Sequence, residues 1–343
     1  MTPDAVAARR AEAAVWEATR AALRTARLAC AVPAHPAVKA VAHQAQQSRR
    51  STGTAEYAPP GLAERLHRAS SRPRHTAGSL WEVDLAEPDA HLRDAVARAW
   101  SSLPPGQAAQ APPSAHGAGS TVCGWGADHR EVFIEAIERL DAAWPDMLAE
   151  LRVGVTQIAL LRGPGINGFT DFTVHGAVFV NAARLVPRGG LPGWVRLADA
   201  LVHEGTHTRC NAAALVTEFL APAAHAVAPV STPLRSDPRP LTGLFQQTVV
   251  LVRQLMLYRR LLESLRDHEG GDGELGQALS RRHGTLMAGA RQGIGTLGRH
   301  AKALTPDGRA VLTEARVLLD EEARHPAEVV PPPEAPTASG RSL

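Results

Sequence analysis

The alternation of apolar and polar residues predicts a helical first section followed by a poorly patterned one. Residues 4–30 are rich in Ala and Arg, lack Gly and Pro, and carry only a few larger apolar side chains. Such a composition favours one long helix, which Pro33 would end. Residues 34–75 are polar with scattered Pro, Gly and Ser, so we expect a loop there with one short helix near 62–66.

The central part of the chain mixes helix and strand patterns. A stretch rich in Pro, Ala, Gly and Ser at 103–120 predicts a linker. Asp128 is a candidate N-cap for an amphipathic helix whose apolar residues extend to Leu140. Two apolar runs, 155–161 and 177–180, are typical of buried strands. A small β-sheet is therefore expected between two helical sections.

The second half of the chain has mainly helical periodicity. Apolar residues from Trp194 onward recur at helical spacing, and no Pro interrupts them before Pro222. Three further helices are predicted at 241–265, 273–300 and 305–324, the last opened by Thr-Pro-Asp. The predicted fold class is therefore mostly α with a small β-sheet, an α+β fold with a helical C-terminal part.

The same pattern predicts three parts of the chain. Residues 1–120 would form an N-terminal helical region with loops and the linker. Residues 121–325 would form a second domain, which contains the strongest chemical signal in the sequence. Residues 326–343 include three consecutive Pro and many small polar residues, so we expect a disordered tail.

Composition and charge exclude several classes of protein. Of the 343 residues, 44% are hydrophobic, enough for a substantial core, and the net charge is only +3. The Arg residues are dispersed, which does not favour nucleic-acid binding. No apolar run approaches the ~20 residues of a transmembrane helix, so no membrane association is expected. Three widely spaced cysteines, Cys30, Cys123 and Cys210, disfavour disulfides and predict a reduced, cytoplasmic protein.

The strongest chemical signal is the sequence His203-Glu204-Gly205-Thr206-His207 inside a predicted helix. Two His four positions apart lie one turn apart on one helix face, so both imidazoles can reach one divalent metal ion. Glu204 would project beside that metal, where it can take or give a proton. The alternative is a pair of core histidines with private hydrogen-bond partners and a buried carboxyl group beside them.

A metal site also needs a ligand from outside this helical turn. Glu218 lies eleven residues after His207, roughly 16 Å along an unbroken helix, so it coordinates only if the helix bends sharply. His225 follows Pro222 and could fold back toward the metal. Gln246, near the start of the next predicted helix, is a weak amide ligand or a hydrogen-bonding residue.

These residues, taken with a second segment, resemble a known family. Leu-Val-His-Glu at 201–204 with His207, then Arg-Ser-Asp-Pro-Arg-Pro-Leu at 235–241 and Gly-Leu-Phe-Gln at 243–246, look like the HExxH-motif proteins found beside ribosomally made, modified peptides. That family shows a Leu-Val-His-Glu-x-x-His helix, a spacer, and Arg-x-Asp-Pro-Arg-Pro-Leu-x-Gly before another helix. The similarity covers roughly residues 175–265, and the Asp-Pro-Arg-Pro segment makes it more specific than the five-residue motif alone.

The resemblance implies an iron- and 2-oxoglutarate-dependent oxygenase that hydroxylates a β-carbon in a precursor peptide or a carrier-bound amino acid. By this similarity His203 and His207 are Fe(II) ligands, and Arg235 or Arg239 holds a 2-oxoglutarate carboxylate. Some members carry His where this chain has Gln246. Gln246 is then the expected third metal ligand, unless a water or one of the other candidate ligands takes that place.

Three functional classes remain open. In the oxygenase, Glu204 would orient water or substrate, and the substrate would be a peptide or an amino acid. The expected fold places a zincin-like metal helix against a few strands in either metalloenzyme. In a zinc-dependent HExxH metallopeptidase, Glu204 would deprotonate a zinc-bound water while strand 177–180 pairs with an extended substrate. A metal-free scaffold that binds a peptide or partner protein is the third class. The Asp-Pro-Arg-Pro segment favours the oxygenase, because a peptidase has no evident need for a carboxylate clamp.

Overall fold

The computed structural model describes most of the chain and begins with three helices. The described residues are 1–28, 35–52, 61–70, 80–102, 119–234, 238–269 and 273–324. The first three helices are α1 (Ala5–Thr25), α2 (Pro36–Thr52) and α3 (Leu62–Ser70). Asp4 caps α1, because its carboxylate accepts hydrogen bonds from the backbone N–H groups of Val6 and Ala7. The predicted long first helix is confirmed.

The later helices follow the periodicity of the sequence closely. They are α4 (Ala90–Ser101), α5 (Ala127–Ala143), α6 (Pro145–Gly154), α7 (Gly193–Ala213), α8 (Leu241–Glu269), α9 (Glu274–Arg299) and α10 (Pro306–Arg324). The last three confirm the helices predicted for the C-terminal part. Helix α7 carries the HExxH motif.

A mixed sheet lies between these helices. Its strands are β1 (Asp84–Ala86), β2 (Thr121–Cys123), β3 (Gln157–Arg162), β4 (Gly168–Thr170) and β5 (Ala177–Asn181). β3 runs parallel to β1 and β5 and antiparallel to β2, while β4 lies beside β5 and is antiparallel to it. The two predicted strands and the mostly α, small-sheet fold class are confirmed.

Both faces of β3 and β5 are covered, and the residues between Gln157 and Arg162 of β3 and before Asn181 of β5 are all apolar. Ile158 and Val178 belong to the larger core, which α5, α6, α7 and α8 also build. Ala159 and Phe179, the next residues along each strand, belong to a smaller core that includes residues of α4. The sheet therefore supports α7 from one side and α4 from the other.

Helix α7 is held between the sheet and the helices on either side of it in sequence. It contacts β4 and β5 of the sheet and packs against α5, α6, α8 and α1. β1 of the first part pairs with β3, and α1 also packs against α6. The elements before residue 120 thus share the sheet and core with those after it. The division into domains at that residue stays a prediction.

The expectation of a loop over most of 34–75 is wrong, because α2 occupies the first part of that range. The buried face of α2 consists mostly of small side chains, which give a weak hydrophobic pattern in the sequence. The buried apolar residues on this face are Ala37, Val38, Val41, Ala42 and Ala45, and Lys39 is buried as well. The short helix expected near 62–66 is confirmed as α3.

Two predicted helix boundaries are also wrong. The cap of α5 is Gly126, and Asp128 lies inside the first turn. Helix α7 ends at Ala213 and does not continue to Pro222. Beyond α7, Leu220 forms a backbone bridge with Leu304, just before α10.

The edge of the sheet near the motif differs from the expected one. β5 is hydrogen-bonded to β3 on one side and β4 on the other, so pairing of a substrate with strand 177–180 is ruled out. β4, which the sequence did not predict, forms that edge among the described strands. The predicted linker (apart from residues 119–120) and the tail after residue 325 lie outside the described residues. In the part that is described, no helix combines the length and apolarity needed to span a membrane.

Candidate metal centre

Helix α7 brings both histidines of the motif to one cleft. The rings of His203 and His207 lie with their centroids 5.1 Å apart at an interplanar angle of 62°. Asp199 and Asn211 extend the same row by one turn at each end, because positions four apart share a helix face. The cleft has a volume of about 640 Å³ and lies between α7, the start of α8 and strand β4.

The tautomer of His203 is fixed by an amide of α8. Nδ1 of His203 lies 3.3 Å from Oε1 of Gln254, whose Nε2 donates a hydrogen bond to Oδ1 of Asp199 at 2.5 Å. A carboxylate can only accept, so the amide must turn its oxygen toward the imidazole. Nδ1 of His203 then carries the proton, and Nε2 is the nitrogen with the lone pair. This is the arrangement by which outer residues prepare an imidazole for a metal.

His207 is oriented by a similar pair of contacts at the other end of the row, where Asn211, which can donate or accept, stands in place of a carboxylate. Nδ1 of His207 lies 3.0 Å from Oε1 of Gln246, and Nε2 of Gln246 donates to Oδ1 of Asn211 at 3.1 Å. Because Gln254 pairs near the start of α7 and Gln246 near its end, the two helices run antiparallel along the cleft. The structure thus places Gln246 against the ring of His207. Its assignment as the third metal ligand stays a prediction.

The carboxyl group of Glu204 lies on the opposite wall, against β4. A side chain on Gly168 would place its Cβ 2.9 Å from Oε1 of Glu204 and 3.1 Å from the carbonyl oxygen of Phe179. Only Gly leaves room for the carboxyl group at this point of the strand. Burial raises the pKa of Glu204 to about 8, and Arg184 opposes the shift. The group can therefore hold and release a proton near neutral pH.

The imidazoles fit a divalent cation chemically. Burial, followed by the neighbouring His207, lowers the pKa of His203 to about 3, so its ring is neutral. Neutral imidazole is the form that binds metals. No third His, Cys, Asp or Glu joins the pair in a metal-binding group among the described residues. The candidates Glu218 and His225 are both outside the described cleft lining.

Of the two arginines predicted to bind a carboxylate, only Arg239 is among the described residues. Arg239 lines the cleft, and its backbone is fixed by two hydrogen bonds with Val230 at 2.8 and 2.9 Å. Its Cβ is 3.5 Å from the position that a side chain on Gly243, in the first turn of α8, would occupy. Arg235 lies outside the described residues.

Several cleft residues were not predicted from the sequence. Asp199 could have been found, because it precedes His203 by four positions and shares its helix face. Gln254 has a weaker signal, as an amide within an otherwise apolar stretch of α8. Arg184 and Arg282 also line the cleft, and nothing in their local sequence links them to the motif. Cys210 lines a different pocket, with Met1 and Phe219, and is outside the cleft that the imidazoles line.

Comparison with known proteins adds no family to this description. The chain matches no protein-family model. It has no significant match among curated proteins.

Proposed function

We propose that the protein is an Fe(II)- and 2-oxoglutarate-dependent oxygenase that hydroxylates a C–H bond, at a β-carbon, of a peptide or a carrier-bound amino acid. The observation that carries the proposal is the joint presence in one cleft of two oriented imidazoles and Arg239. Two imidazoles suit Fe(II), and a guanidinium group suits the distal carboxylate of 2-oxoglutarate. The resemblance of the segments at 201–207 and 235–246 to the HExxH-motif family supports the same assignment.

The roles of the residues follow from their positions. His203 and His207 would hold the iron through Nε2, with Gln254 keeping the ring of His203 in the required tautomer and Gln246 orienting that of His207 or serving as the third ligand. When bound, Fe(II) supplies the coupled reduction of dioxygen and oxidative decarboxylation of 2-oxoglutarate that delivers one oxygen atom to the substrate. Glu204, buried beside the imidazoles, would orient a water or the substrate and hold a proton.

A zinc-dependent peptidase is the second candidate, and β4 is the observation in its favour. The strand lies along the cleft, and β5 occupies one of its edges. An extended peptide added to its other edge would run past the HExxH helix. Glu204 would then take the proton of a zinc-bound water, as the motif predicts.

One assay separates the two candidates. Protein purified without oxygen is loaded with Fe(II), supplied with ascorbate and 2-oxoglutarate, and then exposed to oxygen, while succinate is followed with candidate peptides present. We expect succinate from the wild type and at least a tenfold loss in Arg239→Met, because the clamp is removed. Absence of succinate, combined with peptide cleavage that requires zinc and is lost in Glu204→Gln, would establish the peptidase instead.

A further inference from the structure

Two arginines that are distant in sequence converge on one carboxylate in the cleft. Arg184 ends the short 3-10 turn Ala182–Arg184 after β5, and Arg282 lies on α9. Arg184 Nη1 is 3.5 Å and Arg282 Nη2 is 3.7 Å from the same oxygen, Oδ2 of Asp199. Both arginine side chains are 31% exposed and line the cleft, whereas that of Asp199 is only 4% exposed.

The carboxylate of Asp199 does not use up the two guanidinium groups. Its Oδ1 already accepts the hydrogen bond from Gln254, which leaves one oxygen for both arginines. A guanidinium group carries five N–H donors. Arg184 and Arg282 each make one long contact with Asp199, and Arg282 also shares a side-chain hydrogen bond with Tyr258. The neighbouring Tyr258 adds no negative charge, because burial raises the pKa of its hydroxyl, with Asp199 adding to the shift. The arginine pair therefore presents a surplus positive charge and free donor capacity to the cleft.

The pair lies at the opposite end of the cleft from Arg239. Asp199 precedes His203 by one helical turn, about 6 Å along the axis. Arg239 instead packs beside Gly243, in the turn of α8 that leads to the residue bound to His207. The two imidazoles thus lie between one arginine and an arginine pair.

The net charge of the cleft lining indicates that the arginine pair can bind an anion. Three arginines line the cleft together with Asp199 and Glu204. The described lining therefore carries one net positive charge with both carboxyl groups ionised, and two when Glu204 holds its proton. The cleft keeps this excess whether or not a divalent cation and the dianion 2-oxoglutarate are bound, because their charges cancel. The arginine pair, which shares a single carboxylate oxygen, is where at least one positive charge remains for a further anion.

We infer that Arg184 and Arg282 form a carboxylate-binding subsite that selects a substrate with an acidic side chain. That the bound molecule is a substrate depends on the proposed oxygenase function. The existence of the subsite does not. A carboxylate held there would be about one helical turn from the imidazole of His203. The carbon presented to the metal would then be only a few bonds from that carboxylate, as in an Asp or Glu residue of a peptide.

The subsite is tested first on metal-free protein by calorimetric titration with three small probes. N-acetylglutamate α-amide carries one side-chain carboxylate, N-acetylglutamine α-amide is its neutral counterpart, and N-acetylglycine carries only a terminal carboxylate. We expect the first probe to bind at least tenfold more tightly than either of the others. That preference should disappear in Arg184→Met and in Arg282→Met. It should persist in Arg281→Met, which removes the exposed arginine next in sequence on α9.

A second titration separates the subsite from the cosubstrate clamp. 2-Oxoglutarate is titrated into protein loaded with Mn(II), and we expect a change below twofold in Arg282→Lys and at least tenfold in Arg239→Met. Arg282→Lys keeps a charge near Asp199, so it guards against a variant that fails to fold. Equal binding of the neutral and acidic probes, stronger binding of N-acetylglycine, or loss of 2-oxoglutarate binding in the Arg282 variants would each overturn the inference. Absence of 2-oxoglutarate binding in the wild type, with the probe preference intact, would refute the oxygenase alone.

Discussion

The two walls of the cleft hold their chemical groups by different means. On the α8 wall, Gln254 and Gln246 each bind one imidazole and a second polar residue, so every ring is oriented by a hydrogen bond. On the β4 wall, Glu204 faces the backbone of Gly168, and its position depends on the absence of a side chain. The comparison indicates that metal affinity depends on the α8 wall and proton chemistry on the β4 wall.

Removal of an imidazole should have the largest effect. In His203→Ala and in His207→Ala we expect the stoichiometric uptake of Zn(II), Co(II) or Fe(II) to disappear, because one remaining imidazole cannot hold the cation. Metal content after dialysis, measured by atomic emission, checks this. Uptake equal to that of the wild type in either variant would refute the metal centre.

Loss of the Gln254 amide should come next. Gln254→Leu removes the acceptor for His203 and a donor to Asp199, so we expect a tenfold to hundredfold weaker affinity for Co(II), by about the usual cost of losing an outer partner. Competitive titration with a chelator measures it. The matched variant Gln246→Leu should lose a similar or smaller factor. If its loss equals that of His207→Ala, the amide of Gln246 is itself a ligand.

The β4 wall should control how stability depends on pH in metal-free protein. The pKa of Glu204 is about 8 in the folded chain against its ordinary value of 4.5, so the folded state binds the extra proton between these values. The stabilisation from this group is full below about pH 4.5 and is lost as the pH rises through 8, by on the order of a few kcal/mol. His203 acts in the opposite direction between pH 5 and its ordinary pKa of 6.5, because burial lowers its pKa in the folded chain to about 3. Denaturant unfolding at pH 5 and pH 8 should therefore show a stability at pH 8, relative to that at pH 5, that is lower in the wild type than in Glu204→Gln. Glu218→Gln, outside the cleft, should behave as wild type.

A methyl group added to β4 should displace the carboxyl group of Glu204 and should not affect the imidazoles of His203 and His207. Gly168→Ala forces Cβ against Glu204 and the backbone of β5, which should lower the free energy of unfolding by about 1–3 kcal/mol. Co(II) affinity should change less than in Gln254→Leu. The opposite ranking of the two variants in affinity would contradict the division between the walls.

The smallest effect on metal affinity is expected at Asn211, the uncharged end of the row of residues that starts at Asp199. Asn211→Ala removes the acceptor for Gln246 Nε2 but leaves the amide oxygen free to bind His207. We expect metal affinity to fall by no more than about tenfold, since one neutral hydrogen bond contributes roughly 0.5–1.5 kcal/mol and this one acts on His207 only through Gln246. Asp199→Asn should weaken it more, because only the carboxylate forces the orientation of Gln254. Equal effects would mean that the charge of Asp199 does not matter to the imidazole.

The sequence predicted those parts of the molecule that have long-period or local signals. Helices α8 to α10 were predicted from the spacing of apolar residues, and the shared face of the two His from their spacing of four positions. Helix α2 was missed because its buried face combines small apolar residues with the charged Lys39, which weakens the pattern. Strands β1, β2 and β4 were missed because three residues are too few to show alternation. The Asp199–Gln254 contact joins two helices, and the Arg184–Arg282 pair joins a turn to a third. Such groups become neighbours only through tertiary packing.

The hydrogen bond from His203 to Gln254 spans 51 positions of the chain. A separated α7 would still carry both imidazoles in line, but each ring would rotate and exchange its proton between nitrogens. Closure of α8 against α7 is therefore the event that completes the centre during folding. A cation that enters afterwards fastens the two helices together and opposes their separation. The amount of metal that the protein retains then reports whether α7 and α8 have packed together.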